Sequence, residues 1–108
     1  MPELKTINGR LEIDGKPVIK GWESFTGWYW FALEKDSEQV SEINGRAVPD
    51  VIWFGLVQGF EDEYGYFSEA EIKALGSRAW PIKAVDLPYA GRRAWAPARG
   101  LGLLAEAL

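Results

Sequence analysis

The longest apolar run of the chain spans residues 51–60 and contains one polar side chain, that of Gln58. Such a run is typical of a strand that is buried on both faces. Gly55 and Gly59 leave gaps on one of those faces, since side chains alternate along a strand. Glycine inside a strand often marks a close neighbour. We therefore expect an aromatic ring, or else a ligand, to cover both gaps. The other face receives a bulky set: Ile52, Phe54, Leu56 and Phe60.

A short helix is predicted after this strand, with a turn rich in carboxylates between them. Ser68 is a favourable N-cap, and Glu71 three residues later completes a capping box. Gly76 is suited to the left-handed end of a helix. A helix of about two turns is marginal by itself. We therefore expect Ile72 and Leu75 to pack against a sheet.

The first part of the chain predicts a meander of three strands. The first two are expected over residues 4–7 and 10–13, joined by Asn8-Gly9, which is the strongest short signal for a tight hairpin. Asp14-Gly15 is a second turn signal. A third strand is expected over residues 18–22, and the preceding proline indicates that it starts at a sheet edge.

Four consecutive aromatic residues, 28–31, favour another strand, which extends to residue 34. Its rings point to both faces, so both faces need cover from water. One face can take the helix. The other needs the C-terminal tail, a second layer of strands or a partner. We expect this strand to pair antiparallel with residues 51–60 and its rings to fill the glycine gaps.

The polar segment 35–50 joins these two strands. It predicts either a long loop or a short extra hairpin that turns at Asn44-Gly45, with Val40 and Ile43 on its first arm. Loops of this length are uncommon in small domains and are either functional or mobile. A mobile loop is the favoured interpretation.

After the helix, Trp80-Pro81 predicts a corner, and residues 82–87 predict a last strand that ends at Pro88. The complete pattern indicates a single α+β domain over residues 1–87. We expect a mostly antiparallel sheet of about five to six strands, with one short helix packed on one face. Residues 88–108 are predicted to be an irregular, basic C-terminal tail with tryptophan and leucine residues.

Composition narrows the chemistry. The 108 residues suffice for one domain. The chain has no cysteine and no histidine, which removes thiolate chemistry and the commonest general base and metal ligand. No apolar run approaches the ~18 residues of a membrane span. We expect a cytoplasmic protein with no membrane partner, and no cofactor is predicted.

The net charge of −4 is unevenly distributed. Residues 1–77 contain 14 acidic and 7 basic side chains, a balance of −7, whereas residues 78–108 contain 2 acidic and 5 basic, a balance of +3. An acidic body argues against nucleic-acid binding through the domain. The basic tail can dock on its own body, on another subunit or on a phosphate backbone. Its candidate contact residues are Arg92, Arg93 and Arg99.

Three segments resemble a family of small uncharacterised bacterial proteins that occur largely on plasmids and integrative conjugative elements. The segments are YWFALE at 29–34, FGLVQG at 54–59 followed by Glu61 and Glu63, and YGYFS at 64–68 leading into the helix. The resemblance covers about residues 27–87. The chain departs from the family pattern in its longer 35–50 loop, its N-terminal meander and its tail. The resemblance implies an accessory role on a mobile element and supplies no catalytic residues.

The best candidates for chemistry are the carboxylates of Glu61, Asp62 and Glu63, with Glu34 nearby if the strands pair as expected. Two close carboxylates can separate their pKa values into an acid and a base, and carboxylates also hold magnesium or calcium. The alternative is a solvated acidic turn before a helix, where negative charge is favoured. No catalytic residue and no metal ligand is assigned.

Tryptophans offer a second kind of site, because exposed rings stack on sugars or bases or anchor protein interfaces. Trp22, Trp80 and Trp95 lie near turns or in the tail and are the better candidates, with core packing as the alternative. The leading functional hypothesis is a non-enzymatic interaction module that binds an unidentified protein or itself. The alternatives are a small carboxylate-dependent, metal-assisted enzyme and a nucleic-acid accessory factor that uses the arginine-rich tail.

Overall fold

Antiparallel strands dominate the computed structural model, which describes residues 2–93. A small sheet has the order β1-β2-β3 and a large sheet the order β7-β6-β5-β4-β8. One α-helix, α1, spans Glu69–Lys73, and single 3-10 turns span Gly76–Arg78 and Leu87–Tyr89. The predicted antiparallel sheet with one short helix is confirmed, although the strands form two sheets. The strands are β1 (Leu4–Ile7), β2 (Arg10–Ile13), β3 (Lys16–Pro17), β4 (Lys20–Ser24), β5 (Tyr29–Ile43), β6 (Arg46–Gln58), β7 (Asp62–Ser68) and β8 (Ala79–Pro81).

Three hairpin turns have the left-handed backbone that their sequences predict. Asn8, Asp14 and Asn44 have φ angles of 51°, 49° and 52°, and the glycine after each is also positive. Two successive positive φ angles define the type I′ turn, whose twist matches that of the flanking strands. The first two turns connect the strands of the small sheet, and the third connects β5 to β6.

The predicted third strand of the meander is divided between the two sheets. The amide of Val18 donates to the carbonyl of Leu11 in β2, whereas the amide of Ile19 donates to the carbonyl of Ala32 in β5. The chain therefore leaves the small sheet after β3 and enters the large sheet as β4. This crossing places the small sheet over one face of the large one.

The two faces of the large sheet are buried by different layers. On one face, the small sheet packs on Phe31, Leu33 and Leu56. On the other, α1 contributes Ile72 to a cluster around Trp53. Of the three covers expected for the second aromatic face, two are observed: a second layer of strands and the start of the C-terminal tail, where Ala90 packs on the same cluster. The cluster under the small sheet contains Leu4, Leu11 and Ile13, and the helix-side cluster also contains Trp22, Ala32 and Ala79.

The expected pairing of the aromatic strand with the glycine-containing strand is confirmed, from Tyr29 opposite Gln58 onward. The ladder continues past residue 35 as far as Ile43 opposite Arg46. The interpretation of residues 35–50 as a loop is wrong. The alternative, a hairpin that turns at Asn44-Gly45, is confirmed, although this turn closes the β5–β6 hairpin itself and not an extra one. We call residues 36–51 the arm, and residues 29–35 with 52–58 the base.

The two strand glycines are covered in different ways. A Cβ atom on Gly59 would lie 2.6 Å from the ring of Trp28, so an aromatic ring fills this gap as expected. A Cβ atom on Gly55 would lie 1.8 Å from the carbonyl oxygen of Phe31. Gly55 is therefore required by the backbone of β5 and not by a ring, because the ladder shifts register beside it, between Ala32 and Glu34.

Three boundary predictions after β6 are corrected, the Ser68 N-cap is confirmed, and α1 ends at Lys73, before Gly76. Residues 62–68 form β7 instead of a turn, which is confined to the residues just before it. Trp80 and Pro81 lie in β8, and residues 82–87 are not a strand. The carbonyl of Lys83 accepts the amides of Asp86 and Leu87, which makes a turn. Ser68 caps α1 by accepting the amide of Glu71, and Gly76 has a φ of 63°.

Candidate functional site

A groove of about 590 Å³ lies between the arm and α1. The arm forms one wall because β5 and β6 continue beyond the rest of the sheet. The chain turns from β7 into α1 at Ser68, opposite Ile52, so the helix forms the other wall. The groove is lined by apolar residues and by charged residues. They are Ile43, Val48, Pro49, Val51, Ala70 and Ala74, and Glu38, Arg46, Asp50, Glu69 and Lys73, with Asn44 at the turn.

Asp50 joins the two walls. Its side chain is 5 % exposed and accepts the amide of Ala70 at 2.8 Å. It also accepts the hydroxyl of Ser41 at 2.7 Å and the hydroxyl of Ser68. One carboxylate therefore caps the start of α1 together with Ser68 and ties that helix to both strands of the arm.

The environment of Asp50 keeps it ionised. Burial raises the pKa of Asp50, but hydrogen bonds from Ser68 and from the amide of Ala70 outweigh that effect, so the pKa lies below its usual 3.8. A general acid needs a pKa near the working pH. Asp50 therefore acts at neutral pH as a fixed hydrogen-bond acceptor and not as a proton donor.

Glu69 is the second buried carboxylate of the groove. It accepts the indole N–H of Trp53 at 2.8 Å and pairs with Lys73 at 3.1 Å. Lys20 approaches it at 3.6 Å. Burial raises the pKa of Glu69, but the hydrogen bonds from Trp53 and Lys73 outweigh it, so the pKa lies below its usual 4.5. Glu69 is therefore an anion that stabilises the helix-side core.

Trp22 and Trp80, two of the three tryptophans predicted as contact residues, have different environments. Trp22 is 3 % exposed and packs in the helix-side cluster, with the ammonium of Lys20 5.5 Å from its ring centroid. Trp80 lies in β8 opposite Glu23 and is 41 % exposed. Trp22 is thus a core residue, and Trp80 retains an accessible ring. Trp95 lies outside the described residues.

The predicted carboxylate cluster does not converge. Asp62 accepts the side-chain amide of Gln58 at 2.8 Å and lies 3.6 Å from Arg92, while Glu61 and Glu63 are exposed. Glu34 pairs with Lys16 at 3.5 Å instead of joining them. Across residues 2–93, no group of three acidic side chains is placed to hold a metal ion.

Arg92 and Arg93, two of the three arginines predicted for the tail, contact the body of the same chain. The backbone N–H of Arg92 donates to the side-chain oxygen of Gln58 at 2.7 Å, and its guanidinium donates to the carbonyl of Gly59. Arg93 donates to the carbonyl of Leu4 in β1 at 3.5 Å and to that of Pro88 in the last 3-10 turn at 3.0 Å. These guanidinium groups fasten the chain after the last 3-10 turn to the core. Arg99 lies outside the described residues.

Sequence reasoning missed two surfaces. The groove depends on Asp50 and Ser68, which are far apart in sequence, so no local sequence motif predicts it. The second surface lies beside the small sheet and consists of Phe54, Tyr64 and Tyr66; we call it the aromatic shelf. The two tyrosines flank Gly65, and this alternation is the sequence pattern that predicts rings on one face of a strand. The ring of Phe54 lies 6.0 Å from that of Tyr64 and 5.2 Å from that of Tyr66. Burial and the Asp14 carboxylate raise the pKa of Tyr64 to about 12.

Comparisons with protein-family models, with curated proteins and with solved structures find no match to this chain. The resemblance to proteins of plasmids and conjugative elements therefore stays a prediction. No helix in the described part of the chain is long and apolar enough to cross a membrane.

Proposed function

We propose that this chain is a non-enzymatic protein-interaction module, and that the groove between the arm and α1 receives an extended segment of a partner protein. The groove is the observation on which the proposal depends. Its volume of about 590 Å³ falls in the range of ligand sites, about 300–1,000 Å³. Its apolar residues come from both walls, so a bound segment would contact the arm and the helix together.

The edge of β6 favours an extended peptide over a compact ligand. β7 pairs with β6 only from Ile52 onward, so residues 46–51 of β6 have a strand neighbour on one side alone within residues 2–93. Unpaired strand edges bind extended peptides through main-chain hydrogen bonds, and pockets for alternate side chains provide selectivity. Pro49 removes one N–H from β6, so main-chain pairing is incomplete and side-chain contacts must contribute.

Charges along the groove supply a polar rim. Arg46 and Lys73 are exposed basic residues of the lining, and Glu38 is an exposed acidic one. Asp50 and Glu69 are already satisfied by bonds within the chain. A partner segment that combines apolar residues with one acidic residue fits this lining, since the acidic side chain can pair with the exposed Arg46.

A peptide-display selection on the full chain tests this proposal. The peptides that enrich should share spaced apolar residues, and their affinity should fall at least about tenfold in an Ala74→Trp variant, whose larger side chain enters the groove. Ala84→Trp is the matched control, because Ala84 is an exposed residue that does not line the groove. The proposal fails if no peptide enriches, or if enriched peptides bind the Ala74→Trp variant as tightly as the original chain.

A further inference from the structure

The outer edge of β7 is open in the described part of the chain. β7 is the terminal strand of the large sheet, and it pairs with β6 alone. Among the backbone hydrogen bonds that turns and loops make within residues 2–93, none involves residues 62–68. Alternate residues of such a strand therefore direct their N–H and C=O groups away from the sheet, which makes a template for another strand.

Other strand edges of the molecule are protected in ways that β7 is not. β8 has three residues and ends in Pro81, and β3 has two residues, Lys16 and Pro17. At β1, Arg93 donates to the carbonyl of Leu4 at 3.5 Å. Short length, proline, lysine and side-chain cover are the devices by which proteins block edge pairing. β7 has seven residues and contains neither proline nor lysine, and its two charged residues, Asp62 and Glu63, lie together at its first end.

The aromatic shelf lies beside this edge. Tyr64 stands opposite Leu56 and Tyr66 opposite Phe54, so both tyrosines share the face that the small sheet covers further along. Tyr66 is 66 % exposed and Tyr64 is 41 % exposed. Tyrosine is enriched at protein interfaces because it buries apolar area at low entropic cost and keeps a polar tip. Backbone pairing at the edge would extend this shelf.

The sequence of β7 is complementary to itself in one register. Because only alternate residues face outward, allowed antiparallel registers differ by two residues. A register that places Gly65 opposite Gly65 pairs all seven residues of both strands. It sets Tyr64 opposite Tyr66 and the acidic residues Asp62 and Glu63 opposite Ser68 and Phe67. A shift of two residues moves the two-fold centre to Tyr64 or to Tyr66 and pairs only five residues of each strand.

We propose that two copies of this chain associate by antiparallel pairing of their β7 edges about a two-fold axis at Gly65. The two large sheets then become one continuous sheet. The two aromatic shelves meet across the axis, with tyrosines of both copies in contact. This surface is separate from the groove, so the proposal stands independently of the peptide-binding function.

A cysteine crosslink tests the register directly, because the chain has no cysteine of its own. Opposite residues of antiparallel strands have Cα atoms about 4.5 or 5.5 Å apart, and a disulfide spans about 4.4–6.8 Å. A Cβ atom on Gly65 meets nothing within 4 Å, so Gly65→Cys is compatible with the fold. Under mild oxidation we expect the Gly65→Cys variant to form a covalent dimer.

Tyr89→Cys is the matched control, since Tyr89 is exposed and lies outside β7. Its crosslinking should be at least about tenfold slower, as expected for collisions without a preformed interface. Light scattering on the unmodified full chain, across a concentration series, should show a mass approaching twice 12.1 kDa. A monomer at every concentration overturns the proposal, and so does a dimer whose Gly65→Cys variant crosslinks no faster than the control.

Charge-swapped variants provide a second test that needs no disulfide. In one, Tyr64→Lys is combined with Tyr66→Lys, and in the other Tyr64→Glu is combined with Tyr66→Glu. Each variant alone places like charges opposite each other in the proposed register and should be monomeric. An equimolar mixture should restore the dimer. Variants that dimerise alone as the original chain does, or a mixture of folded variants that stays monomeric, overturn the proposed pairing.

Discussion

The base and the arm of the β5–β6 hairpin have the same secondary structure and the same ladder, yet they are stabilised by different means. The base is covered on both faces, by the small sheet and by α1, and includes the fully buried Phe31 and Leu56. The arm is mostly exposed and has no second strand layer within residues 2–93. The carboxylate of Asp50 is its main buried tie to α1.

This difference separates the part of the hairpin that makes the fold from the part that makes the groove. Burial of apolar area is the dominant favourable term in folding, and the base has most of it. The arm instead depends on its turn and on a few polar contacts. Its conformation can therefore respond to a bound segment without loss of the core.

Gly55→Ala should have the largest effect, because it disrupts the base. The added methyl group would lie 1.8 Å from the carbonyl oxygen of Phe31, and backbone cannot move aside as a flexible side chain can. We expect a loss of at least about 3 kcal/mol in unfolding free energy, enough to unfold a marginal domain. Denaturant unfolding followed by tryptophan fluorescence measures it.

Gly65→Ala is the control for this prediction. Gly65 lies directly opposite Gly55 across the β6–β7 ladder, and its Cβ position is open. Alanine there should change stability by no more than about 1 kcal/mol, since it also reduces the freedom of the unfolded chain. Equal losses for the two variants would contradict the close approach of β5 to Gly55.

Asp50→Ala should have the next largest effect and should act on the link between arm and helix. It leaves the buried amide of Ala70 without its acceptor and removes the partner of Ser41 and Ser68. We expect a loss of about 2–3 kcal/mol. Asp36→Ala, at an exposed site in the arm, is the control and should stay within about 0.5 kcal/mol. Thermal unfolding of both variants checks the prediction, which a similar loss in each would refute.

The pH dependence of the unfolding free energy should reflect the same contacts between the arm and α1. Asp50 and Glu69 have pKa values below their usual 3.8 and 4.5, so each is charged more readily in the folded chain than in the unfolded one. Their contribution is fully present above those usual values and is lost as pH falls below them through the folded pKa values. Thermal unfolding midpoints measured from pH 7 downward should fall once the pH drops below the usual pKa values of Asp50 and Glu69. The Asp50→Asn variant should decline less there, and an unchanged slope would oppose this assignment.

Gly45→Ala should have the smallest effect, because it changes only the tip of the arm. Gly45 has a φ of 79°, which alanine adopts at a cost of about 1 kcal/mol. Gly45→Asn should cost less than Gly45→Ala, since asparagine tolerates the left-handed region. Comparison of the two melting temperatures tests the turn. Equal costs for both would argue against a left-handed residue at this position.

The sequence predicted the base well and the arm poorly, for physical reasons. Apolar alternation and aromatic runs indicated both strands of the base, and Ser68 with Glu71 indicated the helix start. The arm lacks apolar periodicity because it lacks a buried face, so its polar residues resembled a loop, although Asn44-Gly45 marked its turn. The groove was not predictable, because Asp50 meets Ala70 only through the tertiary fold.

The same limit applies to the predicted contact residues. Trp22 lies beside a turn in sequence, yet the small helix and β6 bury it. Arg92 resembles a free basic group in the sequence, but the buried side chain of Gln58 holds its backbone. Local composition could not show either contact, since both partners are distant along the chain.

Native-state hydrogen exchange on the full chain tests the division between base and arm most directly. We expect the amides of residues 53–57 in the base to exchange only through global unfolding. Arm amides that are hydrogen-bonded in the ladder, over residues 37–42, should exchange through a local opening whose free energy is lower by at least about 2 kcal/mol. Equal protection in the base and the arm would contradict the account, because it would show one cooperative unit instead of a core with a separately held arm.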